Sequence, residues 1–308
     1  MTVAELVRLF LASRTVGHAP ATSRFYASRL KLLLERHGAR PADSFQPGEI
    51  LALLGEMNAL TESQATQRHN GTALQTLFGW AVDEGLLEKK PFRKLPRPAM
   101  TYRERLPTKQ ELAKLRSRFK PDFRRFFEAL LQSGARPGEL ASARIEWIET
   151  VNGCRILRLP RHKTARKTGR PREIPIGERL GKILDRAIGQ RREGLIFVRS
   201  SGRPWTVKLL SARFRTARDA LGITREVVLY TTRHAALTRI CKTSGIEQAA
   251  RLAGHAPGSP ITSRYVSLDL EYLAACQDRD LDDAPPRPPS PAGHTTAPAT
   301  QQESAPPV

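Results

Sequence analysis

Residues 133–140 read Ser133-Gly134-Ala135-Arg136-Pro137-Gly138-Glu139-Leu140. A glycine suited to close one helix and a proline suited to the first turn of the next stand three residues apart. Arg136 sits at the joint between them. Glu139, one helical turn on, is spaced to buttress a neighbouring backbone or arginine. Outward from this joint, residues 123–133 form the helix that Gly134 closes, and Thr108-Lys109-Gln110-Glu111 is a capping box that opens an earlier one. On the other side two short strands are expected, 154–159 and 172–176, joined by a tip that holds Lys163, Arg166, Lys167, Gly169 and Arg170. Residues 195–198 are a candidate third strand, and helices are expected at 207–221, 232–243 and 246–253. The pattern predicts a mainly α protein with a small antiparallel β-sheet, its second domain mixed α/β.

The first hundred residues read as helices throughout. Leu6, Phe10 and Leu11 follow helical spacing, and a helix from about Ala21 carries Phe25, Leu30 and Leu33 on one side, with Gly38 after its end. Residues 47–54 are a third helix and 63–85 a fourth, with Leu74, Leu77, Phe78 and Ala81 as its buried stripe. Pro91, Pro96 and Pro98, interleaved with Arg93, Lys94 and Arg97, then stop helix formation. The expected division is a helical domain at 1–97, a linker at 98–104 and a second domain at 105–276. Residues 283–308 hold 8 prolines, show no periodic apolar face and are expected to be a disordered tail.

The 308 residues carry 51 Lys plus Arg against 30 Asp plus Glu, a formal net charge of +21. Of this, +18 falls in residues 101–282 and +4 in residues 1–100. Such an excess over one segment predicts a continuous electropositive surface, for which duplex nucleic acid is the leading partner. With three Trp and five Tyr, base stacking on an aromatic platform is not the expected mode. No apolar run approaches the roughly 20 residues of a membrane span, so no membrane partner is expected. Met1-Thr2-Val3-Ala4-Glu5 does not look like a signal peptide. Cys154, Cys241 and Cys276 lack metal-ligand spacing and are read as reduced thiols of a cytoplasmic protein.

Four segments in order resemble the tyrosine recombinases, the phage-integrase and Xer-type enzymes. Residues 133–140 look like their first arginine motif, and Tyr230-Thr231-Thr232-Arg233-His234 like their second. Leu252-Ala253-Gly254-His255 resembles their Leu-Gly-His segment, and Thr262-Ser263-Arg264-Tyr265 their nucleophile motif. The resemblance covers about residues 3–275, because the helical first part and the proline-rich linker look like the family's core-binding domain. It implies a C-shaped clamp on double-stranded DNA that breaks and rejoins strands at specific sites. It also implies four protomers on two paired DNA sites, with residues after Tyr265, including Leu268, Leu270, Tyr272 and Leu273, docking on a neighbour.

The chemistry explains the residue types. Cleaving a phosphodiester without metal or nucleotide cofactor needs a nucleophile, neutralisation of a pentacoordinate phosphorane, and an acid for the departing 5′-oxygen. By the resemblance, Tyr265 is the nucleophile, forming a 3′-phosphotyrosyl bond. Arg136 and Arg233 present planar forks to the non-bridging oxygens, a geometry that lysine cannot copy. His255 would donate a hydrogen bond to the same phosphate. Tyr230 stands where the family has His or Lys; a phenol near pKa ~10 is a poor base at neutral pH, so Tyr230 is expected to orient phosphate or nucleophile. His234 is its backup, at a position that packs internally in the family. The acid is a hairpin lysine: counting forward from Gly153 favours Lys163, and counting back from Pro175 favours Lys167. Arg166, Arg170, Arg172 and Lys167 are expected on backbone phosphates. Two rivals stand beside this reading. One is a type IB topoisomerase, against which the helical first domain argues; the other is a catalytically inactive DNA-binding relative.

Overall fold

The computed structural model describes residues 1–15, 20–99, 105–160 and 171–255. It divides the chain into two compact units, Met1–Glu104 and Arg105–Val308. Among the described residues no helix is long and apolar enough to cross a membrane.

The first unit is helical. Its longest helix, Gln64–Asp83, starts at Ser63, whose hydroxyl accepts from the Thr66 amide, and buries Leu74, Leu77, Phe78 and Ala81 completely. Around this stripe stand the helices Val3–Ser13 and Pro47–Ala59. Phe78 contacts the rings of Phe45 and Phe92 edge-on. The helix expected from Ala21 is two, Pro20–Arg29 and Lys31–His37, broken at Leu30. The break leaves Leu30 and Leu33 fully buried, while Phe25 stays half-buried against Tyr26 and His69. Gly38 keeps right-handed backbone with φ −55°, so it does not act as a left-handed cap.

The second unit is organised around the helix Pro121–Ser133. Its apolar face, Phe123, Phe126, Phe127, Leu130 and Leu131, lies in the largest apolar cluster of the described residues. The helices Glu178–Ile188 and Thr231–Ser244 pack on it. Gly134 ends it at φ +59°, where an added Cβ would come within 3.3 Å of Leu237. A side chain there would be strained in conformation and crowded besides.

The sheet has three antiparallel strands in the order β1 (Ile148–Val151), β2 (Cys154–Leu159) and β3 (Arg172–Pro175). β1 takes the place that the sequence assigned to residues 195–198, where Leu195 and Val198 make isolated bridges to Arg144 and Pro204. The cause is the turn at Asn152-Gly153, with φ 49° and 76°: two left-handed residues reverse the chain in the sense that matches strand twist. Glu178–Ile188 is a further helix that the sequence reading did not place. Its Leu180 and Leu184, four apart, are buried.

Candidate active site

Three of the motif segments converge at the C-terminal ends of two helices, Pro121–Ser133 and Ile246–Ala253. Free carbonyls at a helix C-terminus carry partial negative charge and suit a cation. Arg233, on the first turn of Thr231–Ser244, uses both: one Nη donates to the Gly134 carbonyl at 2.6 Å, the other to the Ala253 carbonyl at 2.7 Å. The side chain is completely buried, and its Nε has no partner among the described residues. A guanidinium has five N–H donors. The two carbonyl bonds therefore leave donors for an entering anion.

His255 follows Gly254, which ends Ile246–Ala253 at φ +64°. The turn is held by the His255 amide on the Ala250 carbonyl at 3.0 Å. It brings Nε2 to 3.5 Å from the Arg233 guanidinium, a contact that is a hydrogen bond only with Nε2 as acceptor. Partial burial, and then the charges of Arg233, Arg136 and Arg172, push the imidazole pKa down to about 4. His255 is therefore neutral at pH 7.

Arg136 precedes the short helix Pro137–Ala141. Its backbone amide donates to Glu139 Oε2 at 2.8 Å and its Nη1 to Glu139 Oε1 at 2.6 Å. Glu139 is buried and also pairs with Arg172. Burial pushes its carboxyl pKa up, but Arg172 and Arg136 outweigh this and hold it below the ordinary value.

Arg172 corrects an expectation. The sequence placed it on backbone phosphates with Arg166 and Arg170; instead it is 3% exposed, with one Nη on Glu139 and the other on the Leu252 carbonyl at 2.7 Å. Alternation along β3 turns Arg172 and Ile174 inward and Glu173 and Pro175 outward. Burial, partly offset by Glu139, lowers its pKa to about 10, so it stays charged at neutral pH.

Tyr230 is 42% exposed at the start of its helix, edge-on to His234 with ring centroids 5.6 Å apart. His234 is half-buried. The hydroxyls of Thr231 and Thr232 fix this helix start by donating to the Val228 and Leu229 carbonyls. Lys163, Arg166, Lys167, Arg170 and Tyr265, with the tail from 283, lie outside the described residues.

The phage integrase family pattern matches residues 108–271, and the chain belongs to that family. It is thus a tyrosine-type, site-specific DNA recombinase, mostly helical with a small antiparallel sheet. In fold it is similar to a lambda integrase dimer bound to a COC′ core site. The TM-score is 0.73 at 20% identity, over 87% of this chain and 77% of that one. A lambda integrase tetramer bound to a Holliday junction matches with TM-score 0.72 at 20% identity, over 86% and 77%. The Tn1549 transposon integrase in complex with circular intermediate DNA matches with TM-score 0.69 at 18% identity, over 91% and 100%. No curated protein matches the chain.

Proposed function

We propose that the chain cleaves and rejoins duplex DNA through a 3′-phosphotyrosyl bond on Tyr265. The phenolic oxygen attacks the scissile phosphorus, its proton passing to water or to a phosphate oxygen. Arg136 and Arg233 neutralise the phosphorane, and His255 hydrogen-bonds the same group. The bond to the 5′-oxygen breaks as Lys163, or alternatively Lys167, protonates it. Tyr230, with His234 behind it, orients the phosphate or the nucleophile. The observation that carries this reading is the convergence of Arg136, Arg233 and His255, three segments distant in sequence, around the ends of two helices. Four protomers act on paired sites, as in the lambda integrase tetramer on a Holliday junction. The protein works in the cytoplasm, and the charge of residues 101–282 makes its DNA affinity fall steeply with salt.

Tyr265→Phe tests the central step. It is expected to keep DNA binding and to lose the denaturant-resistant adduct on a nicked suicide substrate; an adduct from the variant would reassign the nucleophile. The two lysines separate on a substrate with a 5′-bridging phosphorothioate, whose leaving group departs without a proton. That substrate should restore cleavage to Lys163→Ala and not to Lys167→Ala; the reverse would exchange their roles.

A further inference from the structure

Arg172 is the first residue of β3, the return strand of the hairpin whose tip bears the two lysines. Its guanidinium has an unusual set of partners for a side chain with no role in the proposed chemistry. One Nη meets Glu139, the carboxylate that holds both the amide and the guanidinium of Arg136. The other meets the Leu252 carbonyl, three residues before His255. Its stem crosses so close to Gly254 that a Cβ there would lie 2.9 Å from Cδ. The turn that aims His255 and the stem of Arg172 are thus fitted to each other, and only glycine leaves room. Nε of Arg172 has no partner among the described residues, so the group is held by its two ends.

We propose that Arg172 is a positioning residue for the cleavage reaction, a strut that fixes Arg136 through Glu139 and the His255 turn through Leu252, and so ties the phosphate pocket to the base of the lysine hairpin. This rests on the recombinase reading and deepens it. Three parts of the phosphate-handling machinery come from three places in the chain. A planar fork spanning two of them, on the strand that supports the third, holds their spacing. Misplacing a reacting group by about 1 Å can cost on the order of 100-fold in rate. An ammonium is a point charge and reaches one partner, whereas the fork reaches both.

The test uses the full chain and a nicked duplex selected from a randomised library by covalent trapping on the wild type. Failure to trap any duplex would sink the recombinase reading itself, separately from the strut. Arg172→Lys keeps the buried charge beside Glu139 and is the variant expected to fold; Arg172→Met removes the charge. Both should bind the duplex as wild type does and form adduct about 10- to 100-fold more slowly in single turnover. Both should recover most of that loss when the scissile phosphate is a neutral methylphosphonate, which needs less help from a well-placed arginine. Arg136→Ala/Arg172→Lys should lose less than the product of the two single losses, because the strut acts in part through Arg136. Wild-type rates in Arg172→Lys would overturn the proposal. So would a slow variant that gains nothing from the methylphosphonate, or multiplicative losses in the double variant, since both mark damage to the fold.

Discussion

The two units keep their charges in different places. Among the described residues of the first unit, Asn70 is the one buried polar side chain. It is satisfied by the Met57 carbonyl and by Asn58 and Arg29. The arginines of this unit work at the surface: Arg40 pairs with a partly exposed Glu49 and lies over the Phe45 ring at 4.5 Å. The second unit buries Glu139, Arg172, Arg218 and Arg233. Removing these groups from water is costly even when they are paired, and an apolar core of equal volume would serve stability as well or better. The difference teaches where to look for chemistry. The first unit closes on an apolar interior, whereas the second keeps fixed cations at depth. Burial alone does not mark catalysis, however. Arg218 is nearly as enclosed, yet its partners are adjacent Asp219 and the carbonyls of Arg225 and Val227, a loop pinned in place. What distinguishes Arg233 is the company of Arg136, Arg172 and His255.

The sharpest way to break this contrast is to remove the cations gathered at the site. Arg136→Ala should lower single-turnover cleavage by about 10²–10³, the loss expected for one oxyanion-type contact of about 2.7–4 kcal/mol, while binding changes modestly. Arg233→Ala should do at least as much and also destabilise its unit, because two buried carbonyls lose their donor. Cleavage at wild-type rates by either would mean that its charge is there for structure.

A loss of different kind is expected in the first unit. Phe78→Ala opens a cavity in an apolar core and should cost about 3–5 kcal/mol of its stability. Hydrogen exchange reads the two units separately: protection should fall within residues 1–99 and hold within 105–255. Equal loss in both would show that the units fold as one and that the comparison is artificial.

The smallest expected effect is set by pH. The His255 pKa is depressed in the folded state, from an ordinary 6.5 to about 4, so between these values the unfolded chain binds more protons. Stability from this group is therefore fully present above about pH 6.5 and is lost as pH falls toward 4. Thermal unfolding followed across that window should show the second unit weakening on acidification, and less so in His255→Asn. Identical slopes in the two proteins would place the pH sensitivity elsewhere.

Much of this was legible in the sequence because local rules and tertiary packing agree. The Thr108 capping box forms, with the hydroxyl accepting from the Glu111 amide and the carboxylate from the Thr108 amide. Gly134 is the left-handed cap that its place after an amphipathic helix implied. The helix at 207–220 and the strands on either side of the basic tip fall within a residue of expectation. β1 was missed although Asn152-Gly153 is a strong hairpin signal, because Ile148–Val151 is only four residues long and half-exposed. The break at Leu30 has no breaker residue to announce it; tertiary packing of Leu30 and Leu33 decides it. Arg172 was misjudged for a plainer reason. Its neighbours in sequence are basic and tip-like, so composition assigned it to solvent, whereas strand alternation assigns it to the interior.

That alternation has a consequence for how the hairpin can fail. β3 pairs with β2 so that Leu157 faces Ile174 and Leu159 faces Arg172, and outward Glu173 pairs with Arg158 at 3.2 Å. A slip of one residue exchanges the two faces of a strand. Glu173 would then enter where Arg172 belongs, facing Glu139 with like charge. Parity along four residues thus fixes which charge stands beside Glu139, and any redesign of the tip must preserve it.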